Sequence, residues 1–338
     1  MRPAAILLSA AALVLTAPAA RANDSEAAMG LGGLELVQSD AISMDSEDLY
    51  ISKHEVRVRY RFTNHAAQDR DVLVSFPVPA LPGDDPQAFV DRGIPDFKTL
   101  DFHTTVDGQP VKLDYVERAE VAGKDVTARL AQLGWPVHWL DHSDGGTAPD
   151  FVARLTREQK AAYRAEGLLK LPYKGADELV PAWSMVTHVT RMQHFPAGRT
   201  VEVTHRYAPM IGGSVGGLLE KQWRSQKDYA DHARHYCADA QFLAAFDRRI
   251  AERKRANPDF LPYVETWISY ILSSGRNWKG PIGQFRLVVD KDKPDNLVSF
   301  CMTGVKKIGP TQFEVRRTNF EPRGDLDVLV IEWPDPNG

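Results

Sequence analysis

The sequence predicts a mainly β protein of the antiparallel sandwich type, built as one or two sandwiches with helical insertions. Three observations support this fold class: strand-like alternation near the N-terminus, further strand-like segments in the second half, and helical periodicity confined to short stretches between them. Period-two alternation indicates half-buried strands, because successive side chains of a strand point to opposite faces. The spacing of the strands is typical of a sandwich and differs from that of alternating β-α units.

The clearest strand lies in HEVRVRYRF, residues 54–62. Its apolar face holds Val56, Val58, Tyr60 and Phe62, and its basic face holds Arg57, Arg59 and Arg61. The following DVLVSFPVP is predicted to return beside it in an antiparallel meander. The arginine row is either a solvated face, paired across strands with acids such as Asp69 and Asp71, or a site for an anionic partner.

Further strands are predicted in the second half of the chain. SMVTHVTRMQHF and TVEVTHRYAPM, joined by PAGR, predict a β hairpin, and five strand-like segments follow residue 259. The sequence therefore divides into a signal peptide (1–22), an N-terminal β meander (23–120), a helical and loop insertion (121–180), a β hairpin (181–215), a helical segment (216–258) and a C-terminal β region (259–338).

Three segments have helical periodicity and capping signals. DVTARLAQLG has Asp125 as a candidate N-cap and Gly134 just past its end. TREQKAAYRAEG opens with Thr156 and Gln159 at capping-box spacing. The longest predicted helix is AQFLAAFDRRIAERKRA, capped by Asp239, with an apolar stripe of Phe242, Leu243, Phe246 and Ile250.

The N-terminus has the features of a secretory signal peptide. Arg2 precedes an apolar run from Ala4 to Leu15, and small residues end at Ala22 in an A-x-A pattern. Cleavage after Ala22 predicts a periplasmic or secreted protein that begins at Asn23. The apolar run is shorter than the roughly 20 residues that span a bilayer, so no membrane span is predicted.

The charge balance argues against nucleic acid as a partner. Without Arg2 and Arg21, 39 of the 41 basic side chains remain against 45 acidic ones, so the mature chain is mildly acidic. A nucleic-acid-binding surface requires concentrated positive charge. No cofactor is predicted, and the sequence leaves the oligomeric state undetermined.

The octet HARHYCAD, residues 232–239, contains one of the two cysteines of the chain. A disulfide between Cys237 and Cys301 is the simplest prediction in an oxidising compartment. It would tie the start of the long helix to the end of the NLVSFC strand and leave His232 and His235 as surface histidines. A zinc site of His232, His235 and Cys237 is the alternative, although this spacing is not a standard one for zinc.

The pattern GGSVG, residues 212–216, raises a hydrolase alternative. In α/β-hydrolases a Gly-x-Ser-x-Gly turn exposes a nucleophilic serine between a strand and a helix, and here that serine would be Ser214. The antiparallel character of the chain argues against that fold. A flexible glycine loop is the simpler interpretation.

The loop GWPVHWLDHSDGG is the candidate ligand-binding segment. Trp135 and Trp139 could stack on a sugar or another flat ligand, while His138 and Asp141 hydrogen-bond to it. The alternative is that the tryptophans pack between the insertion and the sandwich. No catalytic residue and no metal ligand is assigned.

Several stretches together resemble a known family: SEDLYIS, VRVRYRFTN, FPVP and NWKGPIGQFRLVVDKDKPDNLVSFC. The chain is similar, over nearly its whole mature length, to a family of exported proteobacterial proteins defined only as a domain of unknown function. The resemblance implies export and a mostly β fold, and it implies no activity.

The sequence therefore favours an exported, non-catalytic binding or envelope-associated module, with a small molecule or an envelope protein as partner. A secreted hydrolase that uses Ser214, or a metal-dependent enzyme that uses the histidine and cysteine cluster, is the alternative.

Overall fold

The computed structural model describes residues 24–30, 33–81, 101–139, 148–172, 175–216, 219–256 and 263–334. Within these ranges most regular structure is β, in mainly antiparallel sheets, which confirms the predicted fold class. The strands are β1 Ser25–Gly30, β2 Gly33–Leu36, β3 Ile42–Ile51, β4 Val56–Asn64, β5 Arg70–Leu81, β6 His103–Val106, β7 Gln109–Pro110, β8 Asp114–Val121, β9 Lys124–Asp125, β10 Leu169–Lys170, β11 Val180–Pro181, β12 Ser184–Phe195, β13 Thr200–Tyr207, β14 Ile211–Val215, β15 Val264–Tyr270, β16 Ile282–Asp290, β17 Leu297–Phe300, β18 Lys306–Lys307, β19 Gln312–Phe320 and β20 Leu326–Glu332.

The helices lie in the insertion and before the C-terminal strands. They are α1 Thr127–Leu133, α2 Asp150–Ala153, α3 Arg157–Glu166, α4 Lys227–His235 and α5 Ala240–Ala256, with 3-10 turns at Lys221–Trp223 and Ser273–Asn277. None of the helices in the described ranges is both long enough and apolar enough to cross a membrane.

Most of the described β structure lies in three large sheets, and β10 and β11 form a separate two-stranded sheet. The eight-stranded sheet has the order β18-β19-β16-β3-β4-β13-β6-β7, the six-stranded sheet β2-β1-β5-β12-β8-β9, and the four-stranded sheet β14-β15-β20-β17. β3 and β16 pair in parallel, an exception to the predicted antiparallel pattern. Through this pair, strands from both ends of the chain share one sheet.

One hydrophobic core joins the three sheets. Buried side chains alternate with exposed or half-buried ones along β4, as its sequence predicts. The core contains side chains of the eight-stranded sheet (Val58, Tyr60, Leu287), the six-stranded sheet (Val74, Phe76, Val189) and the four-stranded sheet (Ile268, Tyr270, Val328). The two smaller sheets therefore cover the same face of the eight-stranded sheet, and its other face stays polar.

The predicted hairpin of β12 and β13 is wrong. β12 pairs with β5 and β8, whereas β13 pairs with β4 and β6 in the facing sheet. β4 and β5, predicted as neighbours in a meander, also lie in different sheets. Alternation specifies which face of a strand is buried but not which strand it pairs with. In the structure the turns after β4 and β12 cross between two sheets instead of closing hairpins.

The capping signals agree with the structure in most details. Thr156 and Gln159 form the predicted capping box, and Asp239 accepts a hydrogen bond from the Phe242 amide at 2.8 Å. α1 starts after Val126, one residue later than predicted. α5 packs on the outer face of the four-stranded sheet through its apolar stripe: Phe242, Leu243, Phe246 and Ile250.

Candidate functional site

The outer face of the eight-stranded sheet carries polar side chains in rows that run across the strands. Residues paired on neighbouring strands point to the same face, so the register defines each row. The first row crosses from β19 to β4: Arg316, Arg286, Asp48 and Arg59. The second row, two residues away on each strand, extends to β13: Thr318, Gln284, Ser46, Arg61 and Glu202.

A trough of about 750 Å³ lies between the two rows, above the strand segments at Glu47, Phe285 and Arg317. It crosses five strands, which at about 4.8 Å per step gives a length of about 19 Å. Residues two apart on a strand are separated by about 6.8 Å, which sets the distance between the walls. A molecule the size of one sugar ring could therefore contact both walls.

A β-bulge in β3 determines which side chains of this strand face the trough. The register shifts between Met44 and Ser46, and two consecutive residues, Asp45 and Ser46, are half-buried. Ser46 consequently lines the trough, whereas Glu47 points into the core, where the Tyr270 hydroxyl lies 3.2 Å from its carboxylate. Bulges commonly re-aim side chains next to functional sites.

Gly283 on β16 permits this bulge. A Cβ at position 283 would lie 2.6 Å from the backbone oxygen of Asp45, closer than real contacts allow. The bulged Asp45 carboxylate accepts hydrogen bonds from the Ser43 hydroxyl at 2.6 Å and from the Thr63 hydroxyl. The wall formed by β3 therefore depends on a glycine more than 200 residues away in the sequence.

Ion pairs hold the β19 end of the first row. Arg286 contacts Asp48 at 3.0 Å and Glu314 at 2.8 Å, and Arg316 lies 2.9 Å from Glu314. Hydrogen bonds from Arg316 and Arg286 hold the pKa of Glu314 below its usual value. These guanidinium groups are compensated and fixed in place.

The β4 side of the trough is different. Arg59 lies 3.6 Å from Asp48, which Arg286 also contacts, so one carboxylate serves two guanidinium groups. Arg61 is exposed and has no ion-pair partner in the described part of the chain. Arg61 therefore carries a positive charge without an ion-pair partner, and Arg59 carries one that is only partly compensated.

The predicted acidic partners of the arginine row are wrong. Asp69, just before β5, and Asp71, within β5, lie 3.6 Å and 2.8 Å from His194 on β12. Arg57 instead pairs with Glu55 at 2.9 Å, and its guanidinium lies over the Tyr50 ring. The predicted pairs require β5 to lie beside β4, whereas the two strands belong to different sheets.

The structure places the predicted ligand-binding residues in or beside a small core of the insertion. Trp135 packs among aromatic rings, and Trp139 is buried. His138 Nε2 lies 2.8 Å from the Glu117 carboxylate. Asp141 lies outside the described residues. Ligand contact by these residues stays a prediction, while packing occupies both indole rings.

Cys237 and Cys301 form the predicted disulfide, with their Cα atoms 5.1 Å apart. The bond connects the segment after α4 to the end of β17. The zinc alternative thereby loses its thiolate ligand, because both sulfurs are oxidised. In the described ranges no group of three or more His, Cys, Asp or Glu side chains is placed to hold a metal ion.

His232 is not the surface histidine that the sequence predicted. Its side chain is 15% exposed, and Nε2 lies 2.8 Å from the carboxylate of Glu265, which is 1% exposed. The Trp267 indole donates to the same carboxylate oxygen at 3.1 Å. His235 is exposed, as predicted, and pairs with Asp327 at 3.2 Å. The sequence gives no signal for the His232 pair, because its acid lies on a distant strand.

Ser214 lies in the edge strand β14, and not in a glycine loop or a strand-to-helix turn. It pairs across the sheet with Glu265, and its hydroxyl donates to the Gly216 carbonyl. No hydrogen bond connects Ser214 to a histidine within the described residues. The hydrolase alternative therefore lacks the contact with a general base that a nucleophilic serine requires.

The family model of DUF4424, a domain of unknown function, matches residues 22–329. The chain belongs to this family. The match confirms the family resemblance found in the sequence, and the description of DUF4424 names no activity, ligand or site residue. No curated protein sequence matches the chain.

Solved structures show only distant likeness to this DUF4424 chain. A Legionella pneumophila protein, provisionally described as nutrient binding, is 14% identical with a TM-score of 0.45, over 92% of this chain and 70% of that one. An M1 zinc metallopeptidase from Deinococcus radiodurans is 8% identical with a TM-score of 0.26, over 87% of this chain and 43% of that one. This chain thus spans less than half of the metallopeptidase, and neither likeness is close enough to assign a function.

Proposed function

We propose that the protein is an exported, non-catalytic binding module that holds a small polar ligand in the trough of the eight-stranded sheet. The observation that carries the proposal is the trough itself, a concavity with hydrogen-bonding side chains from five strands on its two walls. Ion pairs already hold the Arg286 side chain in place, so this residue needs little ordering when a ligand binds.

The lining supports binding more than catalysis. Its hydroxyl groups belong to Ser46 and Thr318, and neither a histidine nor a cysteine is among the described lining residues. A hydroxyl nucleophile needs an adjacent general base to react. The arginine, carboxylate, amide and hydroxyl groups can instead donate and accept hydrogen bonds to a polar ligand.

Export is part of the proposal and is supported by the first 22 residues and the disulfide. We expect a periplasmic or secreted protein with Asn23 at its N-terminus. Intact mass of the protein recovered from the periplasm or the medium tests this expectation. A product that retains residues 1–22, or one that stays in the cytoplasm, would contradict it.

A blocked trough tests the binding function. Ser46→Trp places a large side chain in the middle of one wall, and Arg206→Trp places the same side chain on the same sheet face outside the trough. Ligand-observed NMR with a panel of sugars, sugar acids, sugar phosphates and amino acids measures binding to each protein.

We expect at least one compound to bind to the wild type and to Arg206→Trp but not to Ser46→Trp. Binding that is equal in all three proteins would place the ligand elsewhere and overturn the proposal. A panel with no binder at all would also count against it, and would favour an envelope protein as the partner.

A further inference from the structure

The uneven charge of the trough specifies the chemistry of its ligand. Resting on the proposed function, we infer that the ligand carries a single carboxylate or phosphate group, bound between Arg59 and Arg61, and hydroxyl groups along the rest of its length.

The two guanidinium groups are placed to hold an anionic group between them. Arg59 and Arg61 are two residues apart on β4, so they rise from opposite walls of the trough with Cα atoms about 6.8 Å apart. Within the described ranges Arg61 has no ion-pair partner, and Arg59 has an ion pair with Asp48, which Arg286 also contacts. A carboxylate or phosphate between them would accept charge-assisted hydrogen bonds from both sides, and such bonds are roughly twice as strong as neutral ones.

Neighbouring carboxylates limit the ligand to one anionic group. Asp48 lies on the wall beside Arg59, and Glu202 pairs across the strands with Arg61. Carboxylates on both sides of the arginine pair would repel further negative charge along the trough. A polyanion is therefore disfavoured, whereas one anionic group is accommodated.

The remaining length of the trough offers hydrogen-bonding groups to the hydroxyl groups of a ligand. Ser46, Gln284 and Thr318 provide a row of small hydroxyl and amide groups on one wall, facing Arg286 and Arg316 on the other. Hydroxyl groups of a ligand can donate to Asp48 and accept from Gln284 or the arginines. Such a mixed set of donors and acceptors suits a sugar acid or a sugar phosphate.

Three probes with the same sugar ring test the inference: glucuronate, glucose 6-phosphate and glucose. They differ only in the group attached at carbon 5 of the ring, so the neutral sugar isolates the contribution of the charge. Titration calorimetry or ligand-observed NMR is used with the full mature protein. Arg61→Ala removes one of the two arginines proposed to hold the anionic group. Arg206→Ala removes an exposed arginine of the same sheet face outside the trough.

We expect the two anions to bind at least tenfold more tightly than glucose. Arg61→Ala should weaken the anions by about tenfold or more, since a hydrogen bond to a charged group contributes about that factor. Arg61→Lys should fall between wild type and Arg61→Ala, because it keeps the charge but loses the bidentate geometry. Arg206→Ala should bind as the wild type does. The ratio of the two anions distinguishes a carboxylate ligand from a phosphate ligand.

Two results would overturn the inference. If glucose binds as tightly as the anions and Ser46→Trp abolishes its binding, the trough is a binding site, but Arg59 and Arg61 do not select an anionic group. If the anions bind equally to wild type and Arg61→Ala, they are held elsewhere. Failure of all three probes also overturns it as stated. The wider panel with Ser46→Trp then decides separately whether the trough binds anything.

Discussion

Asp24 and Arg191 form a buried ion pair, with 2.8 Å between the carboxylate Oδ2 and Nη2 of the guanidinium. His205 Nε2 lies 3.1 Å from the same carboxylate oxygen, and its Nδ1 lies 2.8 Å from the Thr104 hydroxyl. Arg191 belongs to the six-stranded sheet and His205 to the eight-stranded sheet. The first described residue of the chain therefore connects two facing sheets.

Replacing this carboxylate should destabilise the protein strongly. Asp24→Asn leaves the buried Arg191 guanidinium without its counter-charge, which typically costs about 3–5 kcal/mol of unfolding free energy. Urea unfolding measures the loss. Asp69→Asn is the control, because it removes a carboxylate from an exposed pair and should cost less than about 1 kcal/mol. Equal effects of the two substitutions would contradict the structural role of the pair.

The same pair predicts a dependence of stability on acid pH. Burial alone would raise the pKa of Asp24, but Arg191 and His205 together hold it well below its usual value. Because an unfolded aspartate has a pKa of about 3.9, the stabilisation is complete above about pH 5 and is lost as the pH falls toward the folded pKa. Wild type should lose stability below about pH 5 more steeply than Asp24→Asn. The same pH dependence of stability in wild type and Asp24→Asn would contradict this role of Asp24.

His188 predicts a second pH effect at higher pH. Burial, together with the nearby Arg118 charge, lowers the pKa of His188 from 6.5 to about 4. As the pH falls, the imidazole therefore becomes protonated in the unfolded state before it does in the folded state. The stability present above about pH 6.5 is lost as the pH falls toward 4. His188→Gln should remove about 3 kcal/mol of that loss. Unfolding at about pH 7 and about pH 4 measures the loss, and equal losses in wild type and His188→Gln would contradict this role of His188.

Loss of the disulfide should weaken the contact between α4 and the four-stranded sheet. The bond closes a loop over a sequence separation of 64 residues, for which chain entropy predicts about 4 kcal/mol of stabilisation. Cys237→Ser combined with Cys301→Ser should lose about this amount, and reduced wild type should match the double variant. Intact mass after thiol alkylation should show labelling only when the protein is first reduced. Labelling without reduction would show that the bond does not form.

Gly283→Ala should damage the trough through the bulge of β3. The new Cβ would collide with the Asp45 carbonyl, and overpacking of this kind costs about 1–3 kcal/mol. Since the bulge places Ser46 in the trough, binding of a trough ligand should weaken as well. Gly309→Ala is the matched control, because the nearest atom to its Cβ is 3.7 Å away. A Gly283→Ala protein that loses stability but binds the ligand normally would show that binding does not depend on the bulge.

Individual strands were accessible to sequence reasoning, whereas their partners were not. SMVTHVTRMQHF is β12 residue for residue, and TVEVTHRY is β13, yet the two strands lie in different sheets. Asn64 shows what holds this arrangement: its side-chain amide donates to the carbonyls of Gln68 and Phe195, linking the two turns that cross between the sheets. Nothing in the local sequence around Asn64 indicates a contact with a residue so distant in the chain.

The candidate site was half visible in the sequence. The arginines of β4 stood out through alternation alone. The opposite parts of the trough come from β3, β16 and β19, and their alignment depends on a parallel pair and a bulge. His232 shows the same limit, because the carboxylate that it contacts, Glu265, lies on a separate strand.

The sequence by itself determined the class of fold, the positions of most strands, the capping of α3 and α5, and the family resemblance. For the disulfide it offered one pairing of two cysteines, which the structure confirms. Only the tertiary structure decided the sheet order, the single core shared by both ends of the chain, and the trough. The physical reason is that alternation and capping depend on the side chains of neighbouring residues. Strand pairing instead uses backbone groups that nearly all residues share, so its specificity arises only when distant apolar faces pack together.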